Sequence, residues 1–263
     1  VVGASGGKRM AARTARTIGG SVVAQSYVQT FEKKERTTYS ANIFNGEGEN
    51  FFGTLILNTG ATINFNLTGI ETAENIPVKL TLQGLTISAH ETRIVLNDTE
   101  LGTISGLGRV SMVKTFNVPS SLLKEGTNTL RLTSQSANDI SFFDNIKITY
   151  PRRYLAKSNE LSFYTNNYRI SNLTGFASSN IRVFDITSSD SPVQLTNLNI
   201  RQDGSTFGVR LPAHRSRLMY AVSDEAVKQP ASITRNEPSN LSNAANSADL
   251  LIITHKNFSA QAN

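Results

Sequence analysis

Few side chains in this sequence are equipped for catalysis. There are three histidines, His90, His214 and His255, and no cysteine. A serine triad brings Ser, His and a carboxylate together, usually beside a recognisable nucleophile turn. None of the three histidines lies near such a signature. His90 stands in ISAHET and His214 in LPAHRSR, both read as solvated loops, and His255 closes the apolar run DLLIITH. A zinc site needs three or four clustered ligands. Three scattered histidines and no H-E-x-x-H do not supply one. The lack of Cys excludes a cysteine nucleophile, a Cys-ligated metal and any disulfide.

Carboxylates are more numerous. Glycoside hydrolysis needs two of them facing each other across a cleft. Glu71, Glu74, Glu91, Asp98, Glu100, Glu125, Asp139 and Asp144 fall mostly in turns instead. Calcium asks less, because loop carboxylates and backbone carbonyls can hold it structurally. Asp139 and Asp144 flank a strand and Asn97-Asp98 fills a turn, so Asp98, Asp139 and Asp144 are the candidate Ca²⁺ ligands. Ordinary turn hydrogen bonding is the competing reading. Gly46-Glu47-Gly48 and GTISGLG (Gly102 to Gly108) are not followed by G-K-[ST] and read as loops rather than phosphate cradles. The expectation is a chain without a complete catalytic site and with no cofactor beyond that candidate calcium.

The elements that would position these residues are strands. Only 17% of residues are charged, and Ser, Thr, Asn and Gly fill the gap, a mixture suited to strand faces and turns. Period-two alternation runs through FFGTLILN (Phe51 to Asn58), ATINFNL (Ala61 to Leu67), VKLTLQG (Val78 to Gly84), TRIVLND (Thr92 to Asp98), VSMVKTFNVP (Val110 to Pro119), NTLRLTS (Asn128 to Ser134) and ISFFDNIKITYP (Ile140 to Pro151). Asn58-Thr59-Gly60 reads as a hairpin turn between the first two. PSSLLKEG (Pro119 to Gly126) is the one helix-like piece, about a single turn. Many short strands without crossover helices argue for an antiparallel sandwich or barrel.

A second group follows: NELSFYT (Asn159 to Thr165), NIRVFDIT (Asn180 to Thr187), PVQLTNLNI (Pro192 to Ile200), TFGVRL (Thr206 to Leu211) and RLMYAVS (Arg217 to Ser223). The hairpin loops are Ser188 to Pro192 and Gln202 to Ser205. The domain reading is a basic, poorly ordered leader (1–35), a β-sandwich (36–152), a smaller β domain (153–224), a polar linker (225–248) and, from 249 to 263, the first strand of a truncated α/β domain. The continuous apolar run Asp249 to His255 suits a strand buried on both faces. A short helix near Met10 to Thr17, or a functional basic arm, are the alternatives for the leader.

Charge divides unevenly. Of the net +6, residues 1–36 hold +5 and the rest only +1. The folded part lacks a phosphate-neutralising patch, so nucleic acid is not an expected partner. No apolar run is long enough to span a bilayer, and the first 30 residues contain no apolar signal-peptide core.

In order along the chain, NGEGENFFGTLI, LNDTELGTI, FNVPSSLLKEGTNTLRLTS, FFDNIKITYPRRYLA, NIRVFDITSSDSPVQL and ADLLIITHKNF resemble the region upstream of the catalytic domain in gingipain-type cysteine peptidases, over about residues 32–263. The middle pieces also resemble carbohydrate-binding jelly rolls. The resemblance implies a jelly-roll sandwich, a smaller β domain and then the first strand of a caspase-like domain. The catalytic His and Cys would lie downstream, so no catalytic residue carries over; His255 matches the strand end only. It further implies an extracellular or bacterial cell-surface setting, and a downstream catalytic domain of the same polypeptide as partner. A carbohydrate-binding module or an adhesive surface protein is the alternative. The sequence has no Trp for sugar stacking, which leaves Tyr39, Phe44, Phe142 and Phe143.

Overall fold

The computed structural model describes residues 9–15, 22–44, 46, 48–166, 168–235 and 238–262. It is mostly β, with several sheets and no barrel. The described residues between 9 and 227 form one compact unit, and those from 228 onward belong to another.

Two sheets build the larger sandwich. One runs Thr99–Leu107, Ala89–Leu96, Gly126–Ser134, Ala61–Leu67 in spatial order. The other runs Ser111–Val118, Ile76–Gly84, Ser141–Arg153, Ser26–Lys34, with Leu55–Ile56 also on Ser141–Arg153. All these pairings are antiparallel. Alternation decides which face is buried. In Ala61–Leu67, Ala61, Ile63, Phe65 and Leu67 are buried while Thr62, Asn64 and Asn66 are exposed. They join Leu80, Leu82, Ile94, Leu96, Leu130, Leu132, Ile146 and Ile148 in one core. Burying each such side chain contributes about 1.5–3 kcal/mol before entropy is charged against it.

The smaller sandwich also has two sheets: Ala11–Thr14, Val193–Thr196, Ile181–Asp185, Leu218–Ser223, Glu160–Tyr164; and Asn199–Asp203, Thr206–His214, Arg169–Phe176, Val23–Ala24. Its core contains Leu161, Phe163, Leu173, Phe176, Val183, Val209, Leu211 and Ala221. The two hairpins expected here are present. Ile181–Asp185 pairs with Val193–Thr196, and Asp203 faces Thr206 across the tight turn at Gly204.

Four sequence expectations need correction. The expected poorly ordered leader is, where it is described, largely strand: Ala11–Thr14, Val23–Ala24 and Ser26–Lys34 are paired strands, while residues 1–8 and 16–21 lie outside the described residues. The first two pair in parallel with strands of the smaller sandwich, and the third pairs with Ser141–Arg153 of the larger. Few large apolar residues are needed at a sheet edge, where the backbone ladder holds the segment; all four residues of Ala11–Thr14 are exposed. Second, the turn at Asn58 to Gly60 does not close a hairpin. Phe51–Phe52 pairs with Thr38–Tyr39 and Leu55–Ile56 with Ser141–Arg153, whereas Ala61–Leu67 lies in the facing sheet. The chain arches between sheets there, and strand periodicity alone cannot distinguish an arch from a hairpin.

Third, Gly102 to Leu107 is strand rather than loop. Gly102, at φ +119°, sits where the ladder shifts register, and a Cβ on Gly106 would run into the Met112 side chain. Glycine here permits a bulge and a close approach. Fourth, Asp249 to His255 lies outside every described strand, with Leu250, Leu251 and Ile253 exposed. It is followed by a 3₁₀ turn at Lys256–Phe258 and one helical turn at Ser259–Ala262. An apolar strand buried on both faces needs neighbouring strands and a packed layer over each face, and the described residues of this unit supply no strand.

Tyr27, Tyr154 and Phe163 pack ring to ring where the two sandwiches meet, with centroid separations of 5.0 Å for Tyr27–Tyr154 and 5.6 Å for Tyr154–Phe163. Tyr27 belongs to the strand of the larger sandwich, yet its hydroxyl donates to the Ser162 carbonyl of the smaller one at 3.0 Å.

Candidate functional site

His90 is not a solvated loop residue. It is the second residue of the Ala89–Leu96 strand and is 2% exposed. Its Nδ1 meets Asp139 Oδ1 at 2.5 Å, and its Nε2 faces the carbonyls of Gly108 at 3.0 Å and Thr86 at 3.2 Å. A carbonyl cannot donate, so Nε2 carries a proton and donates. The second Asp139 oxygen accepts the Glu91 N–H at 2.8 Å. Both oxygens of Asp139 are thus occupied within the protein. The ring ties together three loops at one end of the larger sandwich, those at Thr86, Gly108 and Asp139. Gly84 makes room for it, because a Cβ there would overlap the Gly108 carbonyl and the imidazole.

The three candidate calcium ligands are dispersed. Asp98 is exposed, in the turn after Ala89–Leu96, with φ +69°. Asp139 meets Glu91, seven residues back along that strand, and at roughly 3.3 Å per residue this places the two carboxylates about 20 Å apart. Asp144 lies in the opposite sheet at the bulge between Phe143 and Asn145, where Lys34 Nζ approaches its Oδ1 at 3.1 Å. Among the described residues no three His, Asp or Glu side chains cluster as metal ligands. The three carboxylates therefore do not form one site. His214 ends the Thr206–His214 strand opposite Arg169, and His255 lies in the terminal segment, edge-on to Phe258.

Arg13, Lys33 and Lys34 of the leader form ion pairs within the fold. Arg13 Nη2 contacts Asp185 Oδ2 at 3.0 Å, and Arg217 Nη1 contacts the same oxygen at 2.7 Å. Thr187 adds its hydroxyl and N–H to Oδ1. Burial pushes the Asp185 carboxyl up, but these donors outweigh it and hold the group below the ordinary carboxylate range. At the edge of the larger sandwich, Arg36 and Lys34 both pair with Glu49. Their hydrogen bonds hold the Glu49 carboxyl down at about 2.

Of the aromatic candidates, Tyr39 and Phe44 are exposed, whereas Phe142 and Phe143 are buried. Phe142 stacks on Phe52 at 5.2 Å and Phe143 is part of the main core. Tyr39 instead pairs with the exposed Phe51, at 5.2 Å.

Fold and sites together define a non-barrel, two-sandwich β protein in which the buried His90, Asp139 and Asp185 are spent on structure. No protein-family model matches the chain, and no curated protein matches it. Among solved structures, it is similar to dimeric latent PorU from Porphyromonas gingivalis, at 12% identity and a TM-score of 0.62, over 82% of this chain and 22% of that one. The chain therefore spans under a quarter of PorU's length. It also matches the carbohydrate-binding module CBM36, solved with calcium and xylotriose, at 12% identity over 46% of this chain and 98% of the module. The TM-score there is 0.31, too low to argue from. The likeness to PorU shows the fold alone.

Proposed function

We propose that this chain is the non-catalytic accessory β region of an exported gingipain-type cysteine peptidase, placed outside the bacterial cell or at its surface. Its role is to carry or position a catalytic domain located downstream in the same polypeptide. The chain itself has no cysteine and so is not a cysteine peptidase. The observation that carries the reading is the cross-tie between the sandwiches. One stretch of chain gives Ala11–Thr14 and Val23–Ala24 to the smaller and Ser26–Lys34 to the larger. With the aromatic joint at Tyr27, Tyr154 and Phe163, this favours a fixed scaffold over two binding modules on a swinging linker. The resemblance carried by NIRVFDITSSDSPVQL and ADLLIITHKNF supplies the family. The fold likeness to part of a much longer protein agrees with an accessory role.

The test is the longer polypeptide. A His and Cys pair encoded after residue 263 should give peptidase activity that a thiol-alkylating reagent abolishes, while this chain alone stays silent. A parent protein without that pair would sink the proposal.

A second reading, a glycan-binding surface, is kept by the exposed pair Tyr39 and Phe51. Titration with soluble polysaccharides should then give heat that Tyr39→Ala removes. Silent titrations across plant, fungal and bacterial glycans would end it.

A further inference from the structure

Arg152 and Arg153 are neighbours on one strand with different fates. Arg153 has a carboxylate: its Nη2 reaches Glu125 Oε1 at 3.2 Å. Arg152 has none. It forms no ion pair among the described residues; its Nε is buried without a hydrogen-bond partner, while the side chain shares a hydrogen bond with the Tyr27 hydroxyl. Its stem lies over Gly69, where an added Cβ would stand 3.2 Å from Arg152 Cγ. Backbone pairing fixes its position, with Tyr27 on one side and Ile70 on the other.

The arginine lines a cavity of about 310 Å³ at the junction of the two sandwiches. The facing wall is the tight turn Lys157 to Glu160, in which Ser158 and Asn159 both have positive φ, together with Leu161, Ser162 and Tyr220. Lys157 makes no ion pair among the described residues either. Glu160 is the one acid in the lining, and it is engaged elsewhere: Tyr220 donates to its Oε2 at 2.7 Å. Ser162 and Tyr220 are directly opposed across the strands, with Glu160 on the diagonal, so the register fixes this contact. Burial, and then the hydrogen bond to Glu160 and its charge, push the Tyr220 hydroxyl up to about 12, so it stays a neutral donor. Tyr27 is likewise raised to about 12 by burial, partly offset by the charge of Arg152 and a hydrogen bond with it.

The lining therefore presents two cations against one preoccupied carboxylate. Arg152 brings to this lining a guanidinium that no carboxylate among the described residues pairs with, and a carboxylate is the group that best fits it. We propose that this cavity is a carboxylate-binding site in which Arg152 makes the direct contact, Lys157 adds charge at the mouth and Glu160 limits affinity. The carboxylate comes from an acidic side chain of a polypeptide or from a free small organic acid. The site stands or falls independently of the peptidase reading, since every residue in it belongs to the described fold.

The experiment is calorimetric titration of the full chain with N-acetylglutamate N-methylamide, its glutamine counterpart and acetate, at low salt. Binding of the glutamate probe, with the glutamine probe silent, is expected. Acetate binding as tightly as the glutamate probe would identify a small-acid site; acetate binding much more weakly would identify a side-chain site. Arg152→Gln should weaken the probe roughly tenfold or more, Lys157→Gln about threefold, and Glu160→Gln should tighten it by about threefold. Tightening is not what loss of a structural residue produces, and Lys157 is exposed enough that its variant folds whatever becomes of Arg152. Equal binding of the charged and amide probes, no binding of any probe at tens of millimolar, or no change in Lys157→Gln and Glu160→Gln overturns the proposal.

Discussion

Asp139 in the larger sandwich and Asp185 in the smaller are both buried carboxylates, 2% and 5% exposed. Their partners differ. Asp139 is held within its own sandwich by His90, whose side chain is shut away from water, and by the backbone N–H of Glu91. Asp185 is held by Arg13, whose side chain is 44% exposed and reaches it from 172 residues away, and by Arg217, 33% exposed. The first tie closes a sandwich on itself. The second makes one depend on a strand delivered from the far end of the chain. A dry pair is costly to break, because the surviving partner is stranded; a wet pair is forgiving, because water replaces what is lost.

The largest effect should come from the dry tie. His90→Ala or Asp139→Ala should each cost about 3 kcal/mol in urea unfolding. The double variant should cost much less than their sum, and strict additivity would show that the two groups are not coupled. Gly84→Ala should cost about 2 kcal/mol by pushing the Gly108 loop off the imidazole, with hydrogen exchange accelerating at the Thr86 and Gly108 loops. Exchange that stays slow there would mean the tie survives the methyl group.

Asp185→Asn, which keeps the Thr187 contacts but loses the charge, should cost about 1–2 kcal/mol. Arg13→Ala should cost less than about 1 kcal/mol, because its guanidinium is so exposed. A loss from Arg13→Ala equal to that from His90→Ala would erase the distinction between the two regions.

The smallest effect is in pH. Asp185 and Glu49 hold their protons less readily folded than unfolded. Their contribution is therefore complete above the unfolded carboxylate range of about pH 4 and is lost as pH falls toward 2. Asp185→Asn should flatten that part of the urea midpoint curve, and an unchanged slope would remove Asp185 from the acid response.

Strands with a buried and a wet face were legible in the sequence. Ala61–Leu67 matches its expected span, and the Ser111–Val118, Gly126–Ser134 and Ser141–Arg153 strands fall within a few residues of theirs. Arg169–Phe176 was missed, since Asn172 and Gly175 weaken its strand character, although it lies inside a sheet. Val23–Ala24 and Ala11–Thr14 were illegible because their partners come from residues 170–171 and 193–196, and local pattern carries no sign of pairing at that distance. His90 was misjudged for a related reason. One histidine in a polar stretch reads as solvated until the fold brings Asp139 and two carbonyls around it. The cavity at Arg152 was invisible for the same cause, since PRR gives no hint that one arginine of the pair finds an acid and the other does not.

The threaded start of the chain also has a history built into it. During synthesis residues 11–14 leave the ribosome some 180 residues ahead of their partners at Val193–Thr196. At ordinary elongation rates this is a wait of roughly 10–40 s. Throughout it the early strand must stay soluble and unclaimed. Its lack of large apolar side chains and its arginine keep it from sticking to passing neighbours. What reads as an undistinguished basic stretch is, on this view, a strand composed for patience.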